Sequence, residues 1–162
     1  MVAVLEVDVT IITLTTDFGT ADGYPGIMKG VILGIAPEVD IVDISHDIGP
    51  QDIRGGAFVL QCASPYFPQG TIHLAVVDPG VGSERRALAV QTERAFFVGP
   101  DNGVLSWALA GETVLAMVSV TNSAYWLPEV SGTFHGRDIF APVAAHLACG
   151  TPLRELGDVV ED

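Results

Sequence analysis

The N-terminal half of the sequence alternates continuous apolar runs with amphipathic segments, and this alternation leaves few possible folds. Residues 10–16 (TIITLTT) are rich in β-branched side chains and uninterrupted in their apolar character, which is typical of a strand covered on both faces. Apolar residues then recur at helical spacing over residues 24–35 and stop before Pro37, which predicts a helix with a defined end. Residues 40–45 (DIVDIS) predict a second strand, and a second helix is predicted to begin near Asp52.

The remaining sequence continues this pattern. Strands are predicted at residues 71–77, 87–92, 95–98 and 113–120, the middle two flanking a turn at Glu93, and helices at residues 104–110 and 138–148. Residues 150–162 are acidic and rich in turn-forming residues. This alternation predicts an α/β domain of three layers, in which helices flank a central, mainly parallel, mixed sheet.

Length and charge narrow the functional classes. The 162 residues suit one domain, and no apolar run approaches the ~20 residues of a membrane span. Glu6 and Asp8 stand where a signal peptide would carry basic residues, so we expect a cytoplasmic protein without a membrane partner. With 20 acidic and 7 basic residues the net charge is −13, which disfavours nucleic acid and favours a cationic small molecule. Cys62 and Cys149 lack metal-ligand spacing, and we expect both to be buried thiols.

Polar residues at the start of the chain follow the first predicted strand. Ligands of doubly wound sheets bind beyond the carboxyl ends of the strands, and a carboxylate there can hold a ribose diol. Asp17 takes this position, and Asp22 and Tyr24 come at the head of the first helix. A second interpretation of Asp22 is that it caps this helix.

A second polar group lies between two predicted strands. Residues 77–86 (VDPGVGSERR) contain two glycines and a proline, which impose a tight backbone path. Asp78 ends one strand and Arg85 begins the next, so the two can meet across the loop, in a functional contact or in a purely structural ion pair. The loop lacks the Lys-Ser/Thr of a phosphate-binding loop.

Two further groups open helices. Residues 100–103 (PDNG) suit a turn and helix cap, whereas His135 offers a proton acceptor near neutral pH. For His46, His73 and His146 we expect roles in the core or on the surface. A rival interpretation of the strand ends is a divalent metal site, because Asp17, Asp78 and Asp101 should lie on one edge of the sheet.

Five motifs occur in order along the chain. They are TLTTDFG (13–19), DISHDI (43–48), VDPGVGSERR (77–86), GPDNG (99–103) and FHGRDIFAPVAAHLA (134–148). Together they resemble the S-adenosylmethionine (SAM) hydrolase family, also called the adenosyl-forming hydroxide transferases, which is related to the SAM-dependent fluorinase and chlorinase.

This resemblance implies a nucleoside-binding N-terminal domain, here residues 1–162. In the family a small β-barrel domain follows, and trimers form with each active site between neighbouring subunits. The implied reaction is hydrolysis of SAM to adenosine and L-methionine by attack of water at ribose C5′, without a cofactor, because SAM is the substrate. We expect the barrel domain to be absent from this chain and turnover to be weak or absent without it.

The resemblance also implies roles for individual residues. Asp17 would hold the ribose hydroxyls, and Asp22 and Tyr24 would lie near the methionine end. Asp78, Arg85 and His135 would position and deprotonate the attacking water, the base being either Asp78 or His135. Where the halogenases carry an aromatic residue and a halide-contacting serine, this chain has Asp78 and Gly136, which favours hydroxide over halide.

Two alternatives from other classes remain. One is a metal-dependent hydrolase of a nucleotide-like substrate, which a chelator would inhibit. The other is a non-catalytic module that binds SAM or adenosine. Such a module does not turn over SAM, so replacing Arg85 would cause no loss of activity.

Overall fold

The computed structural model describes residues 9–161, which contain one seven-stranded sheet. The strands are β1 (Ile11–Thr16), β2 (Asp40–Ser45), β3 (Ile72–Val76), β4 (Ala87–Thr92), β5 (Phe96–Pro100), β6 (Val114–Ser119) and β7 (Asp158–Val159). Their order across the sheet is β2-β1-β3-β5-β4-β6-β7.

The sheet is mixed, with its parallel part at one side. β1 pairs in parallel with both β2 and β3, and β3 pairs in parallel with β5. β4 is antiparallel to β5 and to β6, and β7 is antiparallel to β6. The β4–β5 hairpin explains the change of direction, because a short turn can join only antiparallel neighbours.

Helices cover both faces of the sheet. They are α1 (Tyr24–Ile35), α2 (Ile53–Ala63), α3 (Ser106–Leu109) and α4 (Ala141–Ala148), and a π-helical turn, Gly136–Phe140, leads into α4. α1 packs on α4, and α2 packs on α3. The predicted three-layer α/β architecture is therefore confirmed.

Two apolar clusters hold the layers together. One joins alternate residues of β1, such as Ile12 and Leu14, to Met28 of α1 and to Phe140. The other lies between the opposite sheet face and the α2–α3 pair, and it includes Val77 and Leu60. Because successive strand side chains point to opposite faces, the continuous apolar strands supply both clusters at once.

The structure differs from the sequence predictions at several positions. Cys62 and Cys149 are exposed, so the expectation of buried thiols is wrong: Cys62 lies on the outer side of α2, and Cys149 caps the end of α4. The turn-rich tail, for which no strand is predicted, supplies the short β7, because it pairs with β6. No helix among residues 9–161 is both long and apolar enough to cross a bilayer.

Candidate active site

A cleft of about 210 Å³ opens beyond the carboxyl ends of β1 and β3. The loops that follow β1, β2 and β3 meet there with the segment that precedes α4. The cleft is lined by Asp17, Phe18, Gln51, Val76, Asp78, Pro79, Val81, Thr133, Phe134, His135 and Gly136. Its position follows the rule that open α/β sheets bind ligands beyond their parallel strand ends.

Asp78 and Arg85 form a bidentate ion pair at one wall of this cleft. Arg85 Nε donates to Asp78 Oδ1 and Oδ2 at 3.0 and 3.1 Å, and Nη2 donates to Oδ2. The two side chains are only 5% and 11% exposed. The guanidinium also lies 5.3 Å from the centre of the Phe140 ring. The paired hydrogen bonds and the aromatic ring fix the orientation of the Arg85 guanidinium and the position of its positive charge.

His135 extends this pair into a group of three. Arg85 Nη2 lies 2.8 Å from His135 Nδ1. Since a guanidinium only donates, Nδ1 must be the acceptor, and His135 is therefore neutral in this arrangement. Burial lowers the pKa of His135, the charge of Arg85 lowers it further, and Asp78 and the backbone of Ser131 oppose both effects only in part.

Asp138 holds the segment that carries His135. Its buried carboxylate accepts hydrogen bonds from the backbone N–H of Ser131 at 2.8 Å and from the Ser131 hydroxyl at 2.7 Å. Arg137 donates to the same group at 2.6 Å. Burial acts to raise the pKa of Asp138, but the hydrogen bonds from Arg137 and Ser131 outweigh it, so this pKa lies below its ordinary value.

Asp17 lines the same cleft as Asp78 and His135. Its Oδ2 accepts a hydrogen bond from the backbone N–H of Gln51 at 2.7 Å. Gln51 has a φ of +63°, which is unusual for a residue with a side chain and frequent at functional sites. This backbone bond anchors Asp17 through one oxygen.

Asp22 and Tyr24 are not among the residues that line the cleft. The cap position of α1 is Gly23, without a side-chain hydrogen bond, so the capping interpretation of Asp22 is wrong. The Tyr24 ring lies 5.0 Å from that of Phe134 and 6.1 Å from that of Phe18. Tyr24 thus touches the aromatic residues that line the cleft.

The three carboxylates of the rival metal interpretation have separate partners. Asp78 binds Arg85, Asp17 binds the Gln51 backbone, and Asp101 accepts from Arg86 Nε at 2.7 Å outside the cleft. Within the part of the chain that the structure describes, no group of three or more His, Cys, Asp and Glu is arranged to hold a metal ion. Asp17, Asp78 and Asp101 each follow a strand, as the rival interpretation assumes, but Asp101 pairs with Arg86 outside the cleft, so the three do not form one metal site.

The other histidines lie outside this group of three. His73 is buried in β3 with Thr13 Oγ1 at 2.7 Å from Nδ1, and burial lowers its pKa to about 4. His146 of α4 packs edge-to-face on Tyr125, and burial lowers its pKa as well. His46 is buried next to the loop that carries Asp17, where it contacts Thr16 and Asp43.

Sequence reasoning missed several residues of the cleft. Gln51 is not predictable from the sequence, because neither its left-handed backbone nor its contact with Asp17 leaves a signal there. Phe18 and Phe134 lie inside the motifs, but nothing in the sequence indicates that an apolar residue next to polar ones lines a cleft. Asp78 and its partner Arg85, which is not itself among the residues that line the cleft, are predictable because each flanks a strand.

Comparison with known proteins identifies the family. Residues 12–157 match the sequence model of the SAM hydroxide adenosyltransferase N-terminal domain. A curated protein of Salinispora tropica, named (R)-S-adenosyl-L-methionine hydrolase, is 50% identical over 153 residues. That alignment covers 93% of this chain and 58% of the relative. The chain belongs to the SAM hydroxide adenosyltransferase family.

A solved structure shares the fold of this SAM hydroxide adenosyltransferase domain, and a more distant relative is named a fluorinase. A Thermotoga maritima structure, described as an uncharacterized conserved protein, superposes with a TM-score of 0.91 at 42% identity, over 93% of this chain and 59% of the other. A fluorinase of an Actinoplanes species is 29% identical, over 94% of this chain and 59% of the relative. The chain thus spans slightly less than three fifths of the length of these proteins.

Proposed function

We propose that this domain binds SAM in the cleft and that water attacks ribose C5′, giving adenosine and L-methionine. The observation that carries the proposal is the Asp78–Arg85–His135 group, because Asp78 and His135 line the same cleft as Asp17. The name of the Salinispora relative supports the same substrate and reaction.

The chemistry requires little beyond an oriented nucleophile. The C5′–S bond breaks with its electron pair moving to sulfur, a C5′–O bond forms, and the water loses one proton. Because the sulfonium leaves as a neutral thioether, neither an acid nor a cofactor is needed to stabilise the leaving group. Orientation of the water in line with C5′ and removal of its proton are the tasks left to the protein.

The geometry favours Asp78 as the group that receives this proton. The lone pair of His135 Nδ1 already accepts from Arg85, whereas Asp78 Oδ1, among the described residues, accepts from Arg85 Nε alone and retains a lone pair. The positive charge of Arg85 stabilises the developing hydroxide. His135 then acts on the orientation of the guanidinium instead of on the water.

The remaining predicted residues take up the substrate. Asp17, anchored through Oδ2, has Oδ1 to accept from the ribose hydroxyls. Tyr24 and Asp22 would contact the methionine portion, which is supported by the packing of Tyr24 on Phe134 and Phe18 at the cleft. The acidic net charge of −13 attracts a cationic substrate and repels nucleic acid.

Assembly and compartment belong to the same proposal. The family resemblance suggests a homotrimer with active sites between subunits, and we propose a cytoplasmic location for it. Sedimentation analysis would test the trimer directly.

The proposal is tested by incubating the protein with SAM in water enriched in ¹⁸O and separating the products. Adenosine carrying ¹⁸O at its 5′ oxygen is the expected result, with an unchanged rate in EDTA. Activity lost in EDTA and restored by Mg²⁺ or Mn²⁺ would support a metal-dependent hydrolase instead. Binding of SAM without adenosine release, both by this chain and by a chain extended through the barrel domain, would identify a binding module.

A further inference from the structure

The DISHDI motif places a buried histidine behind the loop that carries Asp17. His46 follows β2, and its side chain is only 4% exposed. Its Nε2 lies 2.8 Å from Asp43 Oδ1, and its Nδ1 lies 2.8 Å from Thr16 Oγ1. Asp43 also pairs with Lys29 of α1. His46 therefore joins two strands and a helix at the edge of the cleft.

For a neutral His46, the hydrogen bonds of this network have one consistent direction. The carboxylate of Asp43 only accepts, so His46 Nε2 carries the proton and Nδ1 accepts from the Thr16 hydroxyl. That hydroxyl in turn accepts from the backbone N–H of Phe18 at 3.2 Å. The chain of donors and acceptors thus runs from the surface at Asp43, through His46 and Thr16, to a residue of the cleft wall.

A second contact ties the same loop to His46. The backbone N–H of Gly19 donates to the carbonyl oxygen of His46 at 2.7 Å. Gly19 has a φ of +69°, which a residue with a side chain adopts only at a cost. The loop of Asp17 and Phe18 is therefore held on both sides of the substrate-contacting residues.

We infer that His46 is a positioning residue for substrate binding, acting through Thr16 Oγ1 and its own carbonyl to fix Asp17 and Phe18. The inference deepens the proposed function and rests on it, because it assumes that Asp17 holds the ribose. His46 touches no reacting atom. Loss of the network should therefore weaken SAM binding and leave the chemical step largely unchanged.

The chain contains a matched control on the same strand. Thr13 Oγ1 lies 2.7 Å from His73 Nδ1, and both Thr13 and Thr16 are fully buried in β1. Thr16→Val and Thr13→Val each remove one buried hydroxyl from a Thr–His pair with little change in shape. Only the first removes an acceptor from the loop at the cleft.

The test compares these variants for adenosine release, thermal unfolding and amide exchange. Thr16→Val is expected to raise KM about tenfold with kcat nearly unchanged, and Thr16→Ser is expected to restore the wild-type KM. Thr13→Val should lose a similar amount of stability without a change in KM. Amide exchange of Phe18 and Gly19 without ligand should accelerate in Thr16→Val and not in Thr13→Val. Asp43→Ala, at a side chain 39% exposed, gives a second variant that disturbs the network from the surface.

The outcomes separate this inference from the proposed function. Equal KM values for Thr16→Val and Thr13→Val in an active protein would overturn the inference alone. Unchanged exchange at Phe18 and Gly19 in both Thr16→Val and Asp43→Ala would overturn it without reference to activity. A wild-type protein that releases no adenosine and binds no SAM contradicts the proposed function, while the exchange data still decide whether the network holds the loop.

Discussion

Arg85 has a geometry that lysine cannot reproduce. Its guanidinium bonds both oxygens of Asp78, reaches His135 Nδ1 with the same Nη2, and lies over the Phe140 ring. A planar fork can make these contacts together, whereas an ammonium is a point charge on a flexible stem. The residue type at position 85 therefore determines the arrangement of the whole group.

Arg85→Lys is expected to lower kcat for adenosine release about 100-fold, because the charge remains while the orientation of Asp78 is lost. Arg94→Lys, at an exposed arginine on the β4–β5 turn, is the matched control and should retain wild-type rates. Steady-state kinetics, with circular dichroism to verify folding, measures the effect. Equal rates for the two variants would show that Arg85 serves only as a structural ion pair.

The β3–β4 loop is the element that brings Asp78 and Arg85 together. Two turns shape it, with backbone hydrogen bonds from Val81 N–H to the Asp78 carbonyl and from Ser83 N–H to the Gly80 carbonyl. At its tip Gly82 has a φ of +76°, and a Cβ there would collide with the backbone carbonyl of Gly132. The loop thus packs directly on the segment that carries His135.

Gly82→Ala is expected to destabilise the protein by about 1–3 kcal/mol through its left-handed backbone and the collision with Gly132. Because the loop must shift, adenosine release should fall as well. Gly132→Ala is the control on the other side of the contact, since a Cβ at Gly132 meets no atom within 4 Å. Urea unfolding and product assays would measure both variants, and a Gly82→Ala protein as stable and active as Gly132→Ala would contradict the role given to this packing.

At the scale of the whole molecule, the sheet places the cleft and the net charge attracts a cationic substrate to it. The sheet aligns β1 and β3 in parallel, so the loops after them open to the same side. The excess of acidic residues gives the molecule a net charge of −13. A field of this sign attracts cations over a Debye length of about 10 Å at 0.1 M salt and about 3 Å at 1 M.

Binding of SAM should therefore weaken by about fivefold when ionic strength rises from 0.05 to 0.5 M. S-adenosylhomocysteine, which lacks the sulfonium charge, should change much less and serves as the matched ligand. Calorimetric titration of both ligands at the two salt concentrations measures the difference. An equal salt response for the two would show that recognition of the sulfonium does not depend on the acidic surface.

The sequence by itself determined the fold class and the candidate residues that flank strands. Continuous β-branched runs such as residues 10–16 can be buried on both faces only in a covered sheet, and helical spacing over residues 24–35 supplies the cover. Because polar residues at strand ends are local features, Asp17, Asp78 and Arg85 could be found, and five motifs in order indicated the family.

Only the tertiary structure decided which of these residues meet. It paired Asp101 with Arg86, away from Asp78, left Asp22 outside the cleft, and brought Gln51 to Asp17 through a left-handed backbone. It also made β7 from a tail that predicts turns and exposed both cysteines. These outcomes depend on strand pairing and loop contacts between residues far apart in the chain, and local propensity carries no information about either.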